Sequence, residues 1–82
     1  MSDSKNQPLE FFLNKVKIEH NNAISQYPAF HSMHEGYAVL AEEVDELWDI
    51  VRQKDAERDL DHAYQECIQI AAMAMRFATE CC

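Results

Sequence analysis

Turn-forming residues are scarce in this sequence. It contains one glycine and two prolines among 82 residues. Folds built from many short strands need frequent turns, and glycine and proline supply most of them. The scarcity of both residues argues against a β-sandwich or barrel and predicts an all-α fold of a few long helices. The length allows one domain, which we take to cover residues 1–82.

Positive charge is also scarce. The chain has 7 Lys and Arg against 15 Asp and Glu, for a net charge of −8. So few cations argue against binding to nucleic acid or to an anionic membrane surface. No apolar run reaches the roughly 18 residues of a membrane span, and the polar start MSDSKNQPLE does not resemble a signal peptide. These features predict a cytoplasmic protein.

The cysteines of the chain do not follow the spacing of a disulfide scaffold or of a metal-binding motif. The three cysteines, Cys67, Cys81 and Cys82, are odd in number and lack CxxC spacing. A disulfide scaffold or a zinc knuckle is therefore not expected. Reduced thiols agree with a cytoplasmic location.

Apolar residues recur at spacings of three and four along three segments, which predicts three helices. We place them at residues 8–26, with Pro8 in the first turn, at about 29–53, and at 59–79. Residues 1–7 are interpreted as a frayed tail and residues 54–59 as a charged connection. The most regular pattern lies in the second helix, at Met33, Tyr37, Leu40, Val44, Leu47 and Val51. The single glycine, Gly36, falls inside this helix and suggests a close helix crossing or a kink.

Assembly is expected from the size of the chain and from its third helix. Ordering so short a chain costs roughly as much free energy as its own burial returns. Residues 67–78 are apolar at every position except Gln69 and Arg76, and a helix apolar nearly all round is usually buried on most sides. We therefore predict a three-helix protomer that assembles into a homo-oligomeric helical bundle, a dimer or a tetramer.

Acidic residues fall on a stripe of the second helix that is otherwise aliphatic. Positions 39, 43, 46 and 50 share one helix face and read Val39, Glu43, Glu46 and Ile50. The third helix places Glu66 and Gln69 at the same i, i+3 spacing. Three carboxylates about 5 Å apart repel by about 3 kcal/mol per pair at an effective dielectric near 20, and a hard divalent cation reverses that cost. All-oxygen ligation favours Mg²⁺, with Mn²⁺ as an alternative, over zinc.

Two segments together resemble the MazG-like all-α nucleoside triphosphate pyrophosphatases, in particular their short single-domain members from phages and gene cassettes. The first segment is LAEEVDELW, residues 40–48, and the second is ECIQIAAMAMRF, residues 66–77. The family pattern is EExxE on one helix and ExxD on the next. Here Glu42, Glu43 and Glu46 match the first half, and Glu66 matches the start of the second half after a spacer of 19 residues.

The resemblance implies an enzyme that hydrolyses a nucleoside triphosphate to the monophosphate and pyrophosphate. It implies that Glu43, Glu46 and Glu66 are catalytic and hold Mg²⁺, with Gln69 as a weaker fourth ligand. The family has Asp where this chain has Gln69, and an amide oxygen brings no negative charge. A member that binds nucleotides but turns them over weakly or not at all therefore stays open.

Four further residues are candidates for substrate binding: Glu42, His62, Arg76 and Trp48. Arg76 is a possible phosphate partner, and His62 lies one turn before Glu66. Trp48 could stack on a base, although its position beside Leu47 and Val51 favours the core.

Other interpretations compete with the enzyme. The chain could be a plain helical oligomerisation module, with its acidic run as a solvated face. Glu42 and Asp45 offer an alternative i, i+3 pair. A di-iron carboxylate bundle needs ExxH motifs, to which residues 59–62 are the nearest match.

Overall fold

The computed structural model describes the backbone of residues 2–82 and the side chains of residues 9–82. Over this range the chain forms three α-helices, α1 Ser2–Gln26, α2 Met33–Val51 and α3 Leu60–Cys81, and a short 3-10 helix at Asp55–Glu57. The predicted all-α fold with three helices is confirmed. None of the helices in the described range is long and apolar enough to span a membrane.

Local sequence signals set most of the helix ends. Ser32 caps α2 by accepting a hydrogen bond from the Glu35 backbone N–H, and Asp59 caps α3 by accepting one from His62. Helix α1 ends at Gln26, as predicted from the Tyr27-Pro28 sequence.

The predicted start of α1 is wrong. The helix begins at Ser2, six residues before the predicted start, so Pro8 does not lie in the first turn. Met1 lies outside the described residues. The capping argument favoured Pro8 because proline is tolerated best near a helix start, but proline does not by itself mark that start.

Helix α3 is the central element of a flat molecule that measures 42 × 31 × 20 Å. It packs against both α1 and α2, whereas no Cα atom of α1 comes within 8 Å of one of α2 in the described range. The core lies along α3 and comprises Val16, Ala23, Ile68, Ala72 and Met73, flanked by half-buried side chains that include Phe12, Phe30 and Tyr64. This central position explains the apolar surface of α3 within one protomer, so that surface is no longer an argument for a second copy.

Gly36 marks the place where α2 crosses the end of α3. A Cβ atom at this position would lie 2.8 Å from Cδ2 of Phe77 and 3.1 Å from Cδ2 of Phe30. The glycine is buried within the helix, and its φ angle is an ordinary negative one. Of the two roles predicted for Gly36, the structure therefore supports the close crossing.

Three large aromatic side chains face outward. Trp48 is 57% exposed, and Phe11 and Tyr27 are 54% and 60% exposed. The core position that its neighbours favoured for Trp48 is therefore wrong. Phe12 does pack against the core, with its ring edge toward the Tyr64 ring at a centroid distance of 5.6 Å.

Candidate metal centre and adjoining cavity

Three carboxylates from two helices converge where α2 crosses α3. One side-chain oxygen each of Glu43, Glu46 and Glu66 lies within 4.8 Å of the other two. Glu43 and Glu46 are one turn apart on α2 and Glu66 faces them from α3, as the stripes in the sequence predicted. We call these three residues the carboxylate cluster. The alternative pair of Glu42 and Asp45 is exposed.

Burial differs among the members of the cluster. Glu66 is 7% exposed, Glu43 is half-buried and Glu46 is exposed. The cluster therefore has a buried floor on α3 and an open side along α2. A solvated acidic face would not bury one of its carboxylates to this degree, because a buried charge costs free energy unless it is compensated.

One oxygen of Glu66 lacks a hydrogen-bond donor. Its Oε2 lies 3.2 Å from Nε2 of His62, one turn earlier on α3. Its Oε1 is buried and has no hydrogen-bond partner among the described residues. Buried acceptors are almost always satisfied, so an unpartnered oxygen on a member of this cluster leaves a position that a cation or a proton would stabilise.

Simultaneous ionisation of all three carboxyl groups in the cluster is unfavourable. Burial, followed by repulsion from Glu46 and Glu66, raises the pKa of Glu43 from 4.5 to about 7. Repulsion from Glu66 raises the pKa of Glu46 as well, with burial as the second cause. Ionisation would place one more negative charge among neighbouring carboxylates in a partly buried site, which is why both pKa values shift upward.

The residue types suit a hard divalent cation. Adjacent ligands of an octahedral Mg²⁺ lie about 2.9 Å apart and opposite ones about 4.2 Å, so the cluster oxygens, which lie within 4.8 Å of one another, would have to draw closer to share one ion. The described side chains place only carboxylates here, without the thiolate or the set of imidazoles that zinc prefers.

A cavity of about 620 Å³ opens beside the cluster, between α1 and α2, with α3 as its floor. This volume lies within the range of small-molecule sites. Glu43 belongs to both the cluster and the cavity wall, and Gln69 lines the same wall. The predicted ligand Gln69 therefore lies on the cavity side of α3, one turn after Glu66.

Sequence reasoning missed the contribution of α1 to this cavity. Glu19, Asn22 and Gln26 line it with a carboxylate and two carboxamides. Their spacing of three and four residues puts them on one face of α1, beside the apolar face from which the helix was predicted. This polar stripe is the feature of the sequence that could have predicted the contribution of α1 to the cavity. Phe30 and Met73 supply apolar wall.

The predicted substrate-binding residues are placed unequally. Arg76 lines the cavity, but its guanidinium donates to Glu80 and to the carbonyl of Pro28. His62 contacts the cluster through Glu66. Glu42 and Trp48 are exposed on α2 and do not line the cavity.

Comparison with known proteins gives no family. No family model matches the chain, and neither the curated proteins nor the solved structures contain a significant match.

Proposed function

We propose that this protein is a Mg²⁺-dependent nucleoside triphosphate pyrophosphohydrolase, which converts a (d)NTP and water to the (d)NMP and pyrophosphate. The observation that carries the proposal is the unpartnered Oε1 of Glu66, buried opposite two further carboxylates at the edge of a cavity of about 620 Å³. The resemblance of residues 40–48 and 66–77 to the MazG-like family supplies the choice of substrate and reaction.

Each part of the site has a role in this reaction. Glu43, Glu46 and Glu66 hold the cation, with Gln69 as a neutral fourth ligand or a group that positions water. Mg²⁺ supplies charge neutralisation of phosphate oxygens and lowers the pKa of a bound water. The cavity between α1 and α2 accepts the nucleoside, whose polar edges meet the carboxamides of Asn22 and Gln26.

The bond changes are those of hydrolysis at the α-phosphorus. A water oxygen forms a bond to the α-phosphorus. The bond between the α-phosphorus and the oxygen that bridges it to the β-phosphorus breaks, and pyrophosphate leaves. Glu43 accepts the proton that the water loses, because it is the cluster member that also lines the cavity. We expect the protein to carry out this reaction as a homo-oligomer. Its role would be to remove unwanted nucleotides in the cytoplasm.

A second candidate is a nucleotide-binding member with weak or no turnover. Gln69 favours it, because a carboxamide in the place of the family Asp removes one negative charge from the ligand set. This candidate shares the cation and the nucleotide with the first and lacks only the chemical step.

A Mg²⁺ titration followed by pyrophosphate release separates these candidates. Calorimetry should give a saturable Mg²⁺ signal for the native chain, and Glu66→Gln should remove it. Asp45→Asn is the matched control, since it deletes an exposed carboxylate from the acidic run of α2. The absence of a Mg²⁺ signal would refute both candidates.

Pyrophosphate release is then measured across canonical and modified nucleotides with Mg²⁺. Release that is lost in Glu43→Gln, with the helix content unchanged, supports the enzyme. Saturable nucleotide binding without release supports the inactive member.

A further inference from the structure

We infer that the outward face of α2 is the seam between two antiparallel copies of this chain. Five large apolar side chains define this face, which we call the outer stripe: Met33, Tyr37, Val44, Trp48 and Val51. This inference assigns a face to the homo-oligomer of the proposed function and does not depend on hydrolysis.

The outer stripe is continuous along the whole helix. At about 100° per residue its five members fall within an arc of about 60°. Their exposed fractions are 54, 67, 46, 57 and 42% in chain order. Leu40 and Leu47, at the inner border of this arc, are half-buried. Helix α2 is thus apolar toward α3 and apolar again toward the outside.

The spacing of this face is that of a helix-to-helix seam. Met33, Tyr37, Leu40, Val44, Leu47 and Val51 are separated by four, three, four, three and four residues. Apolar residues in this 3-4 alternation pack as knobs into the holes of a facing helix. Among the described residues no other helix of the chain meets this face, because α3 packs on the opposite side of α2 and α1 stays apart.

The exposed area suits a second copy. With large apolar side chains of roughly 150–250 Å² each, the stripe exposes roughly 500 Å² per protomer, or roughly 1,000 Å² for two. That sum lies at the lower bound for a specific interface. The roughly 500 Å² on one chain equals the largest apolar patch of a typical monomer, a patch that often serves a function. A two-fold axis satisfies the stripe with an identical stripe, so no other partner is needed.

Charge selects the antiparallel orientation. Five acidic residues of α2 lie between positions 42 and 49, whereas its first half carries only Glu35. A parallel pair would set the two acidic halves side by side in a chain whose net charge is already −8. An antiparallel pair sets each acidic half against the less charged half and also opposes the helix dipoles.

The carboxylate cluster stays open in such a dimer. Glu43 and Glu46 project from the opposite side of α2, toward α3, and the cavity lies between α2 and α1. The dimer can therefore be broken without removing a ligand, and its failure can be separated from a failure of the proposed chemistry.

The first test is the oligomeric state of the full chain by sedimentation velocity over a range of concentrations. We expect a dimer, and for Tyr37→Lys/Trp48→Lys a monomer, with a dissociation constant at least about a hundredfold higher. Lysine lowers the net negative charge, so overall repulsion between copies does not rise, and the loss arises within the seam itself. The control, Phe11→Lys/Ile18→Lys, changes two apolar residues of α1 with similar exposure and should remain dimeric. A native chain that is monomeric throughout, or a dimer that survives in Tyr37→Lys/Trp48→Lys, overturns the inference.

The second test is orientation, by cysteine cross-linking in a chain whose three cysteines are replaced by serine. Met33 and Val51 lie at opposite ends of the stripe, about 27 Å apart along the helix. Mixing Met33→Cys with Val51→Cys should give disulfides between the two variants, while each variant alone gives none. Disulfides formed by each variant with itself would overturn the antiparallel arrangement.

Discussion

The guanidinium carbon of Arg76 lies 4.1 Å from the centre of the Phe30 ring. The same guanidinium donates to both carboxylate oxygens of Glu80 and to the Pro28 carbonyl, and Glu80 accepts a hydrogen bond from the Phe30 backbone N–H. A single buried cation on α3 thereby fixes the connection between α1 and α2. This connection forms one end of the cavity, so the stability of the fold and the shape of the candidate site depend on the same contact.

Replacement of Arg76 should therefore be costly. We expect Arg76→Met to lower the free energy of unfolding by about 3 kcal/mol, because it strands Glu80 in a half-buried position while keeping much of the packing on Phe30. Chemical denaturation followed by circular dichroism measures this change.

The matched control is Arg52→Met, which breaks the exposed pair of Arg52 with Asp49 and should cost at most about 0.5 kcal/mol. Adding Glu80→Gln to Arg76→Met should restore part of the loss, since the uncompensated charge is then removed. Equal losses for the two arginine variants would show that Arg76 does not act through its buried contacts.

Replacing Gly36 with alanine should change the stability in the direction opposite to the one that helix propensity alone predicts. Alanine normally stabilises a helix interior by about 1 kcal/mol relative to glycine. Here the added Cβ would lie 2.8 Å from the Phe77 ring, and the forced repacking costs on the order of 1–3 kcal/mol. We expect Gly36→Ala to be less stable than the native protein by about 1 kcal/mol in urea denaturation.

Ala38→Gly, at an exposed position two residues later, measures the propensity contribution in the same helix. If Gly36→Ala stabilises the protein by as much as Ala38→Gly destabilises it, propensity alone accounts for the result and the crossing is looser than the structure shows.

The sequence predicts where the helices lie better than it predicts which helix faces pack against each other. Apolar spacing located the three helices, apart from the start of α1, and brought Glu43, Glu46 and Glu66 to facing stripes, because that signal is local. Which apolar stripe faces inward is a tertiary property. Helix α2 has apolar residues on two sides, and only packing decides that Val39 and Ile50 face α3 while Trp48 faces outward. The Arg76 contacts with Pro28 and Phe30 span 48 and 46 positions and leave no local pattern.

The carboxylate cluster predicts a pH dependence in the absence of metal. The pKa of Glu43 is raised to about 7 in the folded protein from an ordinary value of 4.5. Folding therefore favours its protonated form. The corresponding stability is present in full below pH 4.5 and is lost as the pH rises through 7. The raised pKa of Glu46 acts in the same direction.

In EDTA we expect the melting temperature to fall between pH 5 and pH 8. Glu43 is partly solvated, so its share of the loss is on the order of 1–2 kcal/mol. Glu43→Gln should flatten this part of the profile, and Mg²⁺ should restore stability at pH 8. Asp45→Asn should keep the native slope. A slope that is identical in Glu43→Gln would mean that the three carboxylates do not interact in solution.

Gln69 decides between an active and a weakened site, and one substitution tests it. The side chain lines the cavity together with Glu43, and it occupies the place where the resembling family carries Asp. Gln69→Asp adds a negative charge to a ligand set that is one carboxylate short of the family pattern. We expect Mg²⁺ affinity to rise by roughly tenfold and any pyrophosphate release to rise with it.

The control for this substitution is Gln65→Asp, the same chemical change at an exposed position one turn earlier on α3. It adds the same charge to the chain but lines the opposite groove with Ile18 and Ile68, so it should leave Mg²⁺ affinity nearly unchanged. A gain in both variants would reflect only the added net charge. A gain in Gln69→Asp alone means that this position reaches the cation, and no gain in either means that Gln69 faces the nucleoside end of the cavity.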